Sequence, residues 1–222
     1  MKISVSIYRY NSAKKIKAKF KKYEIPFKKG MTVLDIILYV YKNLDPTLAF
    51  RFECRQGICG TCGVMLNNKP VLSCSTQINP EIENTIKPLS NFPIEKDLVV
   101  DLKPLLKKYL QIKPYLDKIK KVVITKNESN KSKAFRKCIE CGCCVSAVTT
   151  INKNGKEVID PMSLVKVARY YTDPRDGLNR LKIAKSKGIE KYSIEQGKQI
   201  SKVCPRGIPI DKAIEILSYE KI

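Results

Sequence analysis

Nine cysteines and no histidine in 222 residues constrain this chain more than any other feature. Four lie at Cys54, Cys59, Cys62 and Cys74, four more at Cys138, Cys141, Cys143 and Cys144, and the last at Cys204. The N-terminus, Met-Lys-Ile-Ser-Val, alternates polar and apolar residues and lacks the apolar run of a signal peptide. The thiols are therefore expected to stay reduced and to bind metal rather than form disulfides. Without histidine there is no His-ligated zinc, no Rieske-type ligation, no Ser-His triad and no histidine general base. Thiolate is the one soft ligand available, and thiolates select zinc, Cu(I) or iron–sulfur clusters.

The first set is spaced C-x4-C-x2-C-x11-C, the plant-type pattern for a [2Fe–2S] cluster, with Cys54, Cys59, Cys62 and Cys74 as the expected ligands. Gly57, Gly60 and Gly63 are interleaved with them. A loop wrapping a cluster needs its N–H groups near the sulfides, and left-handed backbone is cheap only for glycine. A zinc site would ask for two C-x2-C knuckles roughly 15–20 residues apart. Here one C-x2-C and one C-x4-C share a cysteine, which favours the cluster.

The second set begins the bacterial-ferredoxin run C-x2-C-x2-C-x3-C-P with Cys138, Cys141 and Cys144, but Val148 and Thr149 stand where the fourth cysteine and the proline should be. Cys204, in "KVCPRGIP", is the remaining candidate. A Cys-Pro pair suits a cluster ligand, since proline presents no N–H and fixes the turn. Cys138, Cys141, Cys144 and Cys204 would complete one [4Fe–4S] site; a four-thiolate zinc site is the alternative. Cys143 is an extra thiol, either a small buried residue or an alternative ligand.

Residues 1–102 read as a β-rich domain. "ISVSIYRY" (3–10) alternates as a strand, and "KIKAKFKKYEIPF" (15–27) is its hairpin partner across Asn11 and Ser12. Thr32 is a candidate N-cap for a helix carrying Val33, Ile36, Ile37 and Val40. "GVMLNNKPVLSCSTQI" then reads as a hairpin turning at Asn67-Asn68. This order is that of a β-grasp ferredoxin. Residues 103–222 read as an all-α domain. In "LKPLLKKYLQIKPYLDKIKKV" Pro104 and Pro114 interrupt a helical spacing, "KNESNKSK" (126–133) reads as a polar loop, and "SLVKVARYY", "GLNRLKIAKSK" and "DKAIEILSY" read as helices.

The net charge is +22. Charge alone raises affinity for phosphates, but no nucleic-acid recognition motif accompanies it, so nucleic acid is not an expected partner. A basic face toward an acidic subunit or anionic lipid, or a solvated lysine-rich surface, accounts for it instead. The longest nearly apolar stretch, Val33 to Tyr41, contains Asp35 and is far too short to span a bilayer. The chain is expected to be cytoplasmic, or peripheral on the cytoplasmic face of the membrane.

With both motifs in hand the chain resembles the iron–sulfur subunit of the succinate dehydrogenase/fumarate reductase family. The resemblance is carried by "FRFECRQGICGTCG", "VVDLKPLLKKYLQIKPYL", "CIECGCC", "DPMSLVKVARYYTDPRDG" and "CPRGIPIDKAIEIL". It implies an α+β chain, a plant-type ferredoxin domain followed by a helical bacterial-ferredoxin-like one. It also implies a non-catalytic electron-transfer subunit of an oxidoreductase of the tricarboxylic acid cycle. Electrons would pass between FAD on a partner flavoprotein and a quinone, a membrane anchor or another redox protein. The resemblance gives the same [4Fe–4S] ligands, Cys138, Cys141, Cys144 and Cys204. Family members usually hold a third, [3Fe–4S] cluster, whose ligands should fall near Val148, Ile194 and Ile200. All three are aliphatic, so no [3Fe–4S] cluster is expected. The family's quinone-pocket positions hold Thr149, Thr150, Lys153 and Glu195, and the chain has no Trp or His. Arg51, Arg55, Arg136 and Arg206 lie close to the expected ligands; Arg55 and Arg206 are the candidates for tuning a cluster potential. Two other readings share the wiring: the iron–sulfur subunit of another flavin-dependent dehydrogenase (hydroxy acid or glycerol phosphate), and a free-standing two-cluster ferredoxin.

Overall fold

Alternation in the first strand sets the first half of the chain. Ile3, Val5 and Ile7 point inward and are almost wholly buried, while Ser4, Ser6 and Tyr8 face the other way. The computed structural model describes residues 1–13, 16–148 and 157–218. Strand β1 (Lys2–Asn11) pairs antiparallel with β2 (Ile16–Pro26), Val5 opposite Tyr23, and parallel with β5 (Asn84–Lys87), Val5 opposite Asn84. Strands β3 (Gly63–Leu66) and β4 (Lys69–Leu72) form the expected hairpin, with Asn67 and Asn68 both left-handed at φ 48° and 65°. Asn is one of the few residues that tolerates that conformation in a two-residue turn. Two short strands, β6 (Ile94–Lys96) and β7 (Val99–Val100), complete a seven-stranded mixed sheet ordered β4-β3-β5-β1-β6-β7, with β2 on β1.

Helix α1 (Val33–Tyr39) covers this sheet. Thr32 caps it with a capping box: its hydroxyl accepts from Asp35 N at 3.2 Å, and the Asp35 carboxylate accepts from Thr32 N at 2.8 Å. Its Val33, Ile36 and Ile37, with Val40 beyond, pack on Ile3, Val5, Ile7, Ile25, Val64 and Ile86 as one apolar core.

The chain divides into two compact units. The first is Met1–Leu102 together with Cys141–Ala147; the second is Lys103–Glu140 with Val148–Ile222. The later segment joins the first unit through the short helix α4 (Cys143–Ser146). Ser146 Oγ donates to Ser90 O at 3.0 Å, and Asn91 Nδ2 donates to Val145 O at 2.9 Å.

The second unit holds helices α2 (Lys103–Gln111), α3 (Lys126–Lys133), α5 (Pro161–Tyr171), α6 (Arg180–Ser186), α7 (Ile194–Lys202) and α8 (Ile210–Ser218). Outside these and two 3-10 turns, an isolated bridge residue at Glu157 is its one β feature among the described residues. Two sequence expectations change here. Residues 126–133 form helix α3 rather than a loop, because Thr125 and Glu128 make a reciprocal capping box at its start. Pro104 does not interrupt α2: it stands in the first turn, where the absent N–H has no intrahelical partner to lose. Helix α7 was not read from sequence. Ser193 and Gln196 box its start, and its Gly197 packs against Asp211 of α8 so closely that a Cβ would lie 2.6 Å from Asp211 Cα.

Candidate metal centres

The segment from Phe50 to Cys62 has no regular structure, and its turns come from left-handed residues. Arg55, Gly57 and Gly60 have φ of 57°, 68° and 78°. This winding turns N–H groups toward the thiols: Gln56 N lies 3.4 Å from Cys54 Sγ. Hydrogen bonds from the Gln56 and Ile58 N–H groups, and then from the Cys59 thiol, lower the Cys54 pKa to about 6. Cys74 differs. Burial first, then its contact with Cys62, raises its thiol to about 11, against a hydrogen bond from Gly57 N–H.

The Cys59 thiol reaches Cys54 and the Cys62 thiol reaches Cys74, which also feels Cys54. Among the described residues no three Cys, Asp or Glu groups are gathered closely enough to hold one metal ion. A cluster of two bridged irons takes four thiolates, two to each iron, and this one loop carries four. The hydroxyl of Ser73, beside Cys74, is buried with no hydrogen-bond partner among the described residues. The residues present fit a two-iron cluster.

Gly63 closes this loop. A Cβ there would lie 2.9 Å from Leu89 Cδ1 and 3.1 Å from the Cys141 carbonyl, so only glycine lets β3 approach the later cysteine segment. Gly142, at φ 77°, is held as tightly: a Cβ would lie 3.1 Å from Phe92 Cζ.

The second cysteine set is divided by the folding units. Cys141, Cys143 and Cys144 belong to the first unit, Cys138 and Cys204 to the second. Cys143 is fully buried and its thiol and N–H both reach Cys141; that thiol contact, opposed by burial, lowers the Cys141 pKa to about 7. Cys204 follows α7 in a turn where its carbonyl accepts from Gly207 N at 3.0 Å, with Gly207 left-handed at φ 61°. Nearby, Arg206 Nε is buried with no partner among the described residues.

The other arginines are engaged elsewhere. Arg55 is exposed and lies over the Phe52 ring at 5.0 Å, Arg51 donates to Val100 O at 3.1 Å, and Arg136 reaches Ser129 Oγ at 3.4 Å. Of the residues standing where a third cluster would be ligated, Ile200 is buried, and Val148 and Ile194 are half-buried. Thr149, Thr150 and Lys153 lie outside the described residues, and Glu195 is exposed in the first turn of α7.

One charged group was missed from sequence. Lys166, flanked by Val165 and Val167 in α5, is 5% exposed. Its ammonium meets Glu140, the residue before Cys141, at 2.5 Å. A lysine set between Leu164-Val165 and Val167-Ala168 was the available signal.

A ferredoxin-like sheet bearing four thiols on a glycine-rich loop defines an iron–sulfur protein. Residues 4–107 match the 2Fe-2S iron-sulfur cluster binding domain family. The fumarate reductase iron-sulfur subunit of Haemophilus influenzae is 32% identical over 233 residues, covering 96% of this chain and 90% of that one. The succinate dehydrogenase iron-sulfur subunit of Dictyostelium discoideum is 30% identical over 98% of this chain and 82% of its own length. The chain belongs to this family of fumarate reductase and succinate dehydrogenase iron–sulfur subunits. Among solved structures, a chain of the Mycobacterium smegmatis Sdh1 complex in the apo form superposes with a TM-score of 0.84 at 24% identity, covering 98% and 94% of the two chains, a likeness of fold.

Proposed function

We propose that this chain is the electron-transfer subunit of a succinate dehydrogenase/fumarate reductase-like complex, relaying electrons between FAD on a flavoprotein partner and a quinone or other redox partner. The carrying observation is the glycine-rich loop bearing Cys54, Cys59, Cys62 and Cys74, in a chain that matches the 2Fe-2S cluster binding domain family and is related almost end to end to fumarate reductase iron–sulfur subunits. Cys54 and Cys59 would hold one iron of a [2Fe–2S] cluster, Cys62 and Cys74 the other. Cys138, Cys141, Cys144 and Cys204 would hold a [4Fe–4S] cluster. The two domains are the β-grasp ferredoxin of residues 1–102 and the helical ferredoxin-like domain of residues 103–222. Spacing supports the second ligand set, and so does the buried Arg206 Nε, without a partner among the described residues and two residues from Cys204, a donor that a cluster sulfur would satisfy.

Such clusters supply one-electron steps with no bond made or broken. The chain's part is to hold the thiolates, direct N–H groups at them and exclude water. The Gln56, Ile58 and Gly57 N–H groups do this at the first site. Aliphatic residues at Val148, Ile194 and Ile200 leave a third cluster without thiolates, so the relay ends at the [4Fe–4S] cluster.

Partner docking has its own support. Seven of the fourteen exposed large apolar residues among those described lie between Leu106 and Ile124, a stretch that a docked partner would cover. No helix among the described residues is long and apolar enough to cross a membrane. Attachment to one would go through a partner, with the chain on the cytoplasmic face.

Anaerobic isolation with iron, sulfide and EPR analysis tests this reading. About six irons per chain are expected, two from one cluster and four from the other. Dithionite should reveal two interacting paramagnets, with no [3Fe–4S] signal in the oxidised protein and a flavoprotein co-purifying. A colourless, zinc-loaded protein would overturn the reading.

A further inference from the structure

Lysines belong at surfaces, where the ammonium stays hydrated; buried ones are rare unless paired. Lys166 sits on the packed face of α5, and its side chain is 6% exposed. Its partner is the Glu140 carboxylate at 2.5 Å. The same oxygen, Oε1, accepts from the Tyr109 hydroxyl at 3.1 Å. Burial, and then the charge of Glu140, holds the Tyr109 phenol well above its ordinary pKa, so it remains a neutral donor. Glu140 stands two residues after Cys138 and immediately before Cys141.

Glu140 is itself unusual. It takes a left-handed backbone, φ 57°, inside the C-x2-C turn between Cys138 and Cys141. Non-glycine residues take that conformation uncommonly, at some cost in backbone strain. A hydroxyl and an ammonium converge on its carboxylate. Tyr109, Cys138, Glu140 and Lys166 all belong to the second unit.

We propose that Lys166 is a redox-tuning positioning residue for the [4Fe–4S] cluster. Its buried ammonium stabilises the reduced cluster, and the Tyr109–Glu140–Lys166 clamp fixes the turn that carries Cys138. This rests on the assignment of Cys138, Cys141, Cys144 and Cys204 as that cluster's ligands. Reduction adds one electron and one negative charge, with no proton moved and no bond changed. A nearby cation therefore favours the reduced form and a nearby anion opposes it. The two charges do not cancel. The Glu140 side chain is 41% exposed and water screens it, whereas the Lys166 side chain is nearly dry.

The experiment is an EPR-monitored redox titration of the anaerobically reconstituted full chain, with the [2Fe–2S] midpoint as internal reference. At the wild-type midpoint, K166M should reduce the ratio of reduced to oxidised [4Fe–4S] cluster about tenfold, a 59 mV shift for one electron. K166R should stay close to wild type. E140Q should shift the midpoint upward, and the [2Fe–2S] midpoint should not move in any variant. Should K166M fail to fold, K166Q decides, because its midpoint must fall. Variants that lose cluster occupancy without opposed midpoint shifts would reduce the clamp to a structural role and overturn the proposal. Absence of any [4Fe–4S] signal in the wild-type chain is a different result: it defeats the ligand assignment itself.

Discussion

Arg180 offers the sharpest test of what holds the helical unit together. Its side chain is fully buried, and its guanidinium meets Asp176 through two hydrogen bonds, Nε to Oδ2 at 2.7 Å and Nη2 to Oδ1 at 3.0 Å. The remaining donors reach three backbone carbonyls, Ile112 and Lys113 at 2.8 Å and Tyr115 at 2.7 Å. One side chain thus fastens the turn after α2 to the start of α6. In Arg180→Leu the apolar volume is largely kept, while Asp176 is left as a buried charge without its cation. Losing one partner of a buried pair costs about 3–5 kcal/mol. Water can reach the part-buried Lys113 and Tyr115 carbonyls, so only the Ile112 carbonyl adds a further cost of about 1 kcal/mol. The expected loss, about 4–6 kcal/mol, is comparable to the whole stability of a small domain, about 5–15 kcal/mol. Urea unfolding of the full chain followed by far-UV circular dichroism measures it, and hydrogen exchange in peptides spanning residues 110–118 localises it. The double variant Arg180→Leu/Asp176→Leu should be more stable than the single one, since the stranded charge is gone. A single variant within about 1 kcal/mol of wild type, or a double variant no better than the single, would refute the reasoning.

Gly197→Ala should destabilise despite a helix-propensity gain of about 1 kcal/mol, because the new methyl would stand 2.6 Å from backbone Cα of Asp211; a net loss of about 1–2 kcal/mol in urea unfolding is expected. Asp45 supplies a pH prediction. Burial pushes its carboxyl up, but hydrogen bonds from Lys21, Thr47 and Tyr23 and the Arg9 charge together hold it well below its ordinary pKa. A folded-state pKa below the unfolded one stabilises above the unfolded value of about 3.9 and is lost as pH falls toward the folded value. The fall in urea midpoint below about pH 4 should therefore be shallower in Asp45→Asn, which starts less stable at neutral pH. Cys204→Ser should abolish the [4Fe–4S] spectrum and spare the [2Fe–2S] spectrum, whereas Cys143→Ser should keep both; optical and EPR spectra of the reconstituted variants decide this.

The order of elements in the first unit was legible because its signals are local. Alternation at Ile3, Val5 and Ile7, the Thr32 cap and the Asn67-Asn68 turn each lie within a few residues of sequence. So does the spacing of Cys54, Cys59, Cys62 and Cys74, where a short glycine-rich loop has few ways to present its thiols. Helix α3 was misread because its eight residues are all polar, and it is started by the Thr125/Glu128 capping box rather than by an apolar stripe. The strands β5, β6 and β7 are too short, at four, three and two residues, for alternation to show.

The sequence by itself determined the ligand chemistry: thiolates without histidine, at spacings that admit iron–sulfur clusters, on a β-rich half followed by a helical one. Tertiary structure decided which residues keep company across long separations. It brought Cys62 against Cys74, returned Cys141–Ala147 to the first unit, and buried Lys166 and Arg180 against Glu140 and Asp176. A charge looks alike in sequence whether it is hydrated or buried. The difference is set by the dielectric and the partners around it, and those exist only once distant segments have packed.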